Sequence, residues 1–489
     1  MRFSLTANRG GPVLDERMDS GTSRTVRGGP VIAVLAFAGM SASFMQTILI
    51  PLQSDLAGLL NTDRGLASWV ITVTLLVSAI CTPVAGKLGD MYGKRRVALT
   101  LLALLLAGSL ICALSFHVAP MILGRALQGA GMGVIPLGIS LLRDVLPPHR
   151  LGSAIALVSA TLGVGGAIGL PVSAIIVETL DWHALFWTAS ALSVVAALLV
   201  ARFVPESASR TGGRIDTVGV VGLGIGLVAV LMAVSNANNW GWASPATVTL
   251  LIGGAVVLGV WVLVELRVRN PLVDVRVSVR PAVLFTNLSS IAMGFALFAS
   301  SVVFPQLLQL PVAAGGTGLS LLDSSLLLMP AGLAMLAMSP VAGLIERKTG
   351  PKPLLIGGAV VIAVTYLVAA LLELQAWHVL VVNTVIGIGI GLGYAAMPAL
   401  IMKAVPVHET GAANGLNTLM RSLGTSLASA VIATVLASTA IGGAASPEGF
   451  RSALLISLGA AVVSAGAALL IPRAPRGVGA WPALVDGDL

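Results

Sequence analysis

Charge is scarce in this chain: Asp, Glu, Lys and Arg make up 10% of 489 residues, while 56% are hydrophobic. Soluble domains carry about 25% charged residues, so a water-surrounded fold is excluded at the outset. Cysteine is nearly missing, and Cys81 and Cys112 lie in apolar stretches without a pairing pattern, which excludes a disulfide framework and a thiolate metal site. With aromatics at 4%, there is little material for an aromatic cage around a quaternary cation. No phosphate-binding Gly-x-x-x-x-Gly-Lys-Ser/Thr run and no nucleophile elbow occur, and the glycine-rich runs sit inside apolar stretches rather than after strands. The chain therefore reads as neither an enzyme nor an ATP-driven pump, with no cofactor or metal. No carboxylate falls in the middle of any long apolar run.

Those apolar runs are the dominant positive feature. A hydrocarbon core of about 30 Å needs roughly 20 apolar residues of helix per crossing. Fourteen stretches qualify or nearly do, over 31–52, 67–86, 96–116, 118–142, 151–177, 183–203, 217–235, 246–264, 282–309, 320–344, 354–373, 377–402, 411–440 and 452–472. They are apolar throughout, where barrel strands would alternate, so the fold class is all-α and polytopic. Of the 28 basic residues, 24 fall in the two tails and in every second loop. The positive-inside rule puts those segments, and both termini, in the cytoplasm. The net charge of +8 is then the sum of many short loops, not a nucleic-acid surface. The polar first 29 residues have no apolar core, so no cleaved signal peptide is expected.

Two sequence echoes divide the chain. Gly86-Lys87-Leu88-Gly89-Asp90-Met91-Tyr92-Gly93-Lys94-Arg95 returns as Gly343-Leu344-Ile345-Glu346-Arg347-Lys348-Thr349-Gly350-Pro351-Lys352, each with two glycines seven apart around a charged turn. Pro147 to Ala154 returns as Pro406 to Ala413, with offsets of 257 and 259 residues, and a glycine-rich span lies between the members of each pair. A duplicated unit follows. The expected organisation is a cytoplasmic tail (1–30), a six-helix bundle (31–203), a linker with an inserted helix pair (204–281), a second six-helix bundle (282–472) and a cytoplasmic tail (473–489). Two homologous bundles about an axis normal to the membrane form a transporter plan, with the substrate site at the repeat interface.

Gly86-x-Leu88-x-Asp90-x-x-Gly93-Lys94-Arg95 resembles the signature loop of the major facilitator superfamily, and the extra helix pair resembles its 14-helix, drug:proton antiporter-like branch. The resemblance implies a major facilitator fold of 14 transmembrane helices, with Gly86, Asp90, Gly93, Lys94 and Arg95 at the cytoplasmic gate. Asp144 would pair with this loop, or lie as a solvated interfacial acid. Arg125-x-x-Gln128-Gly129-x-Gly131-x-Gly133 resembles the family's second motif, which implies that Arg125 faces the central cavity and takes part in proton coupling. A charge inside a span is a functional hypothesis by default, unless it snorkels to the outer interface, and helical spacing puts Gln128 on the same face. Gly163 to Pro171 resembles the antiporter motif only in part, because Gly169 is followed by Leu170 before Pro171. A helix bend at Gly165, Gly169 and Pro171 is what survives.

The branch's first-span acid is replaced by Met45, leaving Gln46 and Thr47 as the local polar groups, with Gln306 and Gln309 as further candidates for cavity polarity. Asn414, Asn417 and Arg421 form one polar stripe that lines either a cavity or another helix. Asp323, at the outer start of the tenth span, is the best carboxylate left for coupling, or else an ordinary loop acid. The expectation is a secondary transporter that exports amphipathic small molecules by alternating access in exchange for protons. Its partners are the substrate, protons and membrane lipid, with no nucleic acid and no obligate protein partner. Neutral, zwitterionic or anionic amphiphiles suit Arg125 and Arg421 as counter-charges. An uncoupled facilitator, a lipid-moving protein and a sensor on the same fold are the alternatives.

Overall fold

A computed structural model of the chain describes residues 28–49, 52, 56–62, 64–206, 215–268, 271–312, 316–406, 409–440 and 445–472. The tail sequences 1–27 and 473–489, and His408 of the second echo, lie outside the described residues. Every regular element among them is helical: α1 (Gly28–Thr47), α2 (Leu56–Leu59), α3 (Arg64–Tyr92), α4 (Lys94–Ala113), α5 (Val118–Gly131), α6 (Val134–Val145), α7 (Pro148–Thr179), α8 (Ala184–Phe203) and α9 (Thr217–Trp240). Then follow α10 (Pro245–Glu265), α11 (Val275–Ser278), α12 (Pro281–Gln309), α13 (Leu321–Thr349), α14 (Pro351–Leu371), α15 (Ala376–Ala404), α16 (Thr410–Ser438) and α17 (Pro447–Leu470). Fourteen membrane-length apolar spans result, α5 and α6 together forming one of them. In hydrocarbon each backbone polar group must be satisfied within its own helix, which is why the apolar runs have no other option.

The helices start and stop where local chemistry dictates. Proline occupies the first turn of α7, α10, α12, α14 and α17, where its missing N–H is not needed. Ser244, Ser320 and Ser446 accept from amides three residues on and cap α10, α13 and α17.

Two six-helix bundles, α1 with α3–α8 and α12–α17, each enclose a buried core. The second core includes Tyr366 and Tyr394, both almost fully buried. The bundles meet along two seams, α3 against α16 and α7 against α13. The inserted helix α9 lies over the first seam: its Leu223, Leu227 and Leu231 share a cluster with Leu76 and Ala79 of α3 and Leu416 and Leu419 of α16. Beyond it, α10 is the least buried of the spans, and Val248, Ile252, Val256, Val260 and Leu263 run exposed along one stripe. In water such a stripe would drive aggregation; in a bilayer it is ordinary lipid contact.

The signature segments correct the sequence expectation in one respect. They are not loops: α3 runs unbroken to Tyr92 and α13 to Thr349, so Lys87, Asp90, Glu346, Arg347 and Lys348 occupy last helical turns, while Lys94, Arg95 and Lys352 stand in the first turns of α4 and α14. Each reversal is made by a single residue, Gly93 with φ of 105° and Gly350 with φ of 83°, a region open to glycine and strained for others. The earlier glycine of each segment serves contact. A Cβ on Gly86 would run into the carbonyl of Gly411, and one on Gly343 into Ser153, each across a seam between the bundles.

Candidate functional site

The end of the molecule where α3 meets α16 holds a buried ionic cluster. Asp90, 3% exposed, accepts from the amides of Gly411 (3.3 Å) and Ala412 (3.1 Å), both in the first turn of α16. These amides have no partner inside their helix, and the partial positive charge of a helix N-terminus favours a carboxylate there. Lys94, 1% exposed, reaches back to Asp90 at 3.7 Å and across to Asp144 at 2.9 Å. Its Nζ also donates to the Ser140 carbonyl (3.4 Å) and to Thr410 Oγ1 (3.3 Å), while Ser140 Oγ donates to the Thr410 carbonyl at 3.0 Å. Asn414 Nδ2 donates to Ser140 Oγ at 3.3 Å. One lysine and two acids from the first bundle thus hold the start of α16 in the second.

The second seam has its own version. Glu346 of α13 pairs with Lys403 of α15 at 3.6 Å, and its carboxylate lies against Gly152 of α7, where a Cβ would collide with it. Asp144 and Lys403 are 259 residues apart, as are Gly152 and Gly411. The two seams therefore share the positions of Asp144 and Lys403, with the charge inverted, and of the two glycines, whereas Glu346 falls one residue before the repeat equivalent of Asp90, which is Arg347. Sequence reasoning recognised this segment as a repeat but did not single out Glu346 or Lys403; adding the repeat offset to Asp144 would have found the lysine. Arg143 was also missed. It crosses between bundles to the Val405 carbonyl at 3.4 Å, beyond the end of α15.

Arg95 is placed differently from the gate expectation. Its Nη2 donates to the carbonyl of Ala201, near the end of α8 in the same bundle. Lys352, its repeat equivalent, donates to the carbonyls of Leu469 (2.9 Å) and Ile471, at the end of α17. Both cations satisfy orphan carbonyls at the C-terminus of the last helix of their own bundle, so Arg95 belongs to bundle closure and not to the seam.

Deeper in the first bundle stands Arg125, 1% exposed, which removes the option of snorkelling to an interface. Its Nη1 donates to the Met45 carbonyl of α1 (2.9 Å) and to Gln128 Oε1 (2.7 Å), and its Nε to the Val70 carbonyl of α3 (3.3 Å). Gln128 Nε2 passes the chain on to Ser109 Oγ of α4 at 2.8 Å. Four helices are thereby joined through one guanidinium, which a lysine could not reproduce. In the second bundle Asn383 occupies the equivalent place and donates to the Leu328 carbonyl of α13 at 3.2 Å. Arg125 to Val70 and Asn383 to Leu328 are related by one offset of 258 residues. The duplication kept the geometry and lost the charge.

The polar stripe on α16 divides among three tasks. Asn414 joins the seam cluster, and Asn417 donates to Asn287 Oδ1 (2.9 Å) and Ser290 Oγ (2.7 Å) of α12. Both asparagines are 2% exposed and engaged with neighbouring helices, so the cavity-lining expectation gives way to packing. Arg421 lies over the ring of Tyr394, 4.6 Å from its centroid, a cation–π contact in a desolvated place.

The remaining candidates lie apart from these clusters. Asp323 is exposed, and it forms a reciprocal cap with Ser320, whose Oγ donates to its Oδ2 at 2.7 Å and accepts from its amide at 3.0 Å. Gln306 and Gln309 are exposed at the end of α12; Gln46 and Thr47 are half-buried, and Thr47 Oγ1 donates to the Phe44 carbonyl at 3.1 Å. Gly165 and Gly169 face α1, where Cβ atoms would meet Ser43 and Thr47, and Pro171 lies within the continuous helix α7. These glycines admit α1 closely.

The model of the Major Facilitator Superfamily matches residues 35–429. The lincomycin resistance protein LmrB of Listeria monocytogenes is 28% identical over 375 residues, covering 76% of this chain and 78% of the relative. The multidrug transporter protein MdtP of Bacillus subtilis is 24% identical over 399 residues, covering 81% and 72%. Among solved structures, the human organic anion transporter MFSD10 (TETRAN) superposes with a TM-score of 0.63 at 14% identity, covering 90% of this chain and 99% of that one, a likeness of fold. With two repeat-related bundles, matching seams and this family match on one chain, the protein belongs to the major facilitator superfamily.

Proposed function

We propose that the protein exports amphipathic small molecules across a bacterial plasma membrane by alternating access, in exchange for protons, with the basic ends of its helices and both termini in the cytoplasm. The carrying observation is the pair of seams at the basic end: Asp90 on the start of α16 and Glu346 beside α7. The Asp90 contact joins one bundle to the other through polar groups that water can replace, and Glu346 presents its carboxylate to α7 without a fixed core contact, so both can release and re-form while each bundle keeps its core. The described arrangement is then the inward-closed state, with Lys94 and Asp144 completing the latch. Drug-resistance and multidrug relatives support a substrate class of drug-like compounds. Arg125 and Arg421 are the buried cations available to an anionic, zwitterionic or neutral amphiphile.

The test is proton movement in proteoliposomes holding a trapped pH dye and a preset gradient, followed as neutral, anionic and cationic amphiphiles are added. Compound-dependent proton flux that Arg125→Ala abolishes supports the exchange. Silence towards compounds that bind in an independent assay overturns it.

A further inference from the structure

The inserted helix pair contains a carboxylate pair that none of the contacts above uses. Glu265, the last residue of α10, is 2% exposed on a helix whose flank is otherwise open, and the backbone N–H groups of Leu272 and Val273 are its hydrogen-bonding neighbours. It points at the start of α9. There a Cβ on Gly219 would meet both Glu265 Oε1 and Asp216 Oδ2. Asp216 caps α9 through Oδ1, which accepts from the Gly219 amide at 2.8 Å, and its Oδ2 is buried and unpartnered. Trp261 Nε1 donates to the Gly219 carbonyl at 2.8 Å and holds the two helices together beside the pair.

Two buried carboxylates that converge on one point do not both stay ionised. A proton held on the pair removes the repulsion between them, and two backbone N–H groups on Glu265 leave that carboxylate's remaining lone pairs turned towards Asp216. We infer that Glu265 and Asp216 form a proton-binding site at the base of the inserted pair.

The surroundings give that site a connection to the seam. Lys87 of α3 is the cation acting on Glu265, and it directly follows Gly86, which touches Gly411. The backbone N–H groups of Leu272 and Val273 donate towards the carboxylate, and both residues share the apolar cluster over α3 and α16. Of the other charged groups nearby, Arg276 donates to the Leu266 carbonyl at 3.1 Å, Asp274 caps α11, and Arg267 is exposed. Along α9 no further charged residue occurs, and α16 contributes only Arg421, deep in its own bundle. Uptake of the proton therefore changes the charge facing Lys87, at the point where α3 carries the latch. This role rests on the transport function proposed above; the site itself does not.

The experiment is infrared difference spectroscopy of the full chain in lipid nanodiscs between mildly alkaline and mildly acidic buffer, alongside the pH profile of transport in proteoliposomes. The expected result is a protonated-carboxyl band that is absent in Glu265→Gln and titrates at a different pH in Asp216→Asn, with the transport profile displaced in both variants. A band unchanged in Glu265→Gln overturns the proton site. So does calcium or sodium binding by the native chain that this variant abolishes, since the occupant would then be a metal cation. If Glu265→Gln does not fold, loss or displacement of the band in Asp216→Asn decides, and an unaltered band there also overturns the site. A normal band in protein that transports nothing leaves the site standing and removes the transport reading; normal transport without the band does the reverse.

Discussion

Asp90→Asn tests the latch at its most informative atom pair. Asparagine has the shape of aspartate, so packing at this 3%-exposed position is preserved, but the Gly411 and Ala412 amides donate to separate oxygens and asparagine keeps only one, turning its NH2 towards the other amide. Lys94 is not stranded, because Asp144 remains 2.9 Å away. What is lost is one of the two hydrogen bonds, the charge-assisted part of the other and the interaction with the α16 N-terminus, together about 2–4 kcal/mol of the inward-closed state. At 1.4 kcal/mol per tenfold, the ratio of closed to open at this end falls by about 30- to 700-fold. Spin labels at Arg150→Cys on α7 and Arg347→Cys on α13, both exposed positions on opposite bundles, report the separation once Cys81 and Cys112 are replaced. Pulsed dipolar spectroscopy should show the distance distribution move from short to predominantly long. A folded variant whose distribution matches the native one would refute the idea that Asp90 holds the seam.

Four further outcomes are expected. Gly86→Val places a branched side chain into the Gly411 backbone; it should abolish transport and leave the basic end open to cysteine-directed reagents, whereas Gly357→Val on the open face of α14 should do neither. Arg125→Ala removes three hydrogen bonds of a buried cation and leaves the Met45 carbonyl in the last turn of α1 and the Gln128 amide oxygen without this donor, while the Val70 carbonyl stays within the α3 ladder; thermal unfolding in detergent should show a loss of about 3–5 kcal/mol together with lost transport, and Arg125→Lys should recover only part of either. Glu346→Gln breaks a single pair whose lysine is 59% exposed, so the same spin-label pair should open by less than with Asp90→Asn. Tyr394→Leu keeps the volume roughly but removes the ring face under Arg421; binding of anionic amphiphiles, measured by equilibrium dialysis, should change while that of neutral ones does not.

The sequence alone was sufficient for the membrane class, the number of crossings and the duplicated plan, because hydrocarbon leaves the backbone no alternative to helices and because repeats leave echoes in glycine and charge. It also pointed to Arg125, since a charge in apolar surroundings is costly, and to Gln128 on the same helical face, while Asp90, Lys94 and Asp144 were pointed to by the resemblance of their motif to the family's signature. Tertiary structure decided the partners. That Asp90 serves α16 and Arg95 serves α8 depends on which helices become neighbours, and nothing local distinguishes the two residues. The α16 stripe looked like one feature along the chain; Asn414, Asn417 and Arg421 face three different neighbours because successive helical turns meet α6, α12 and α15. Glu265 and Asp216 were the least legible, as ordinary loop-edge acids 49 residues apart, until the packing of α9 on α10 buried them together beside Gly219.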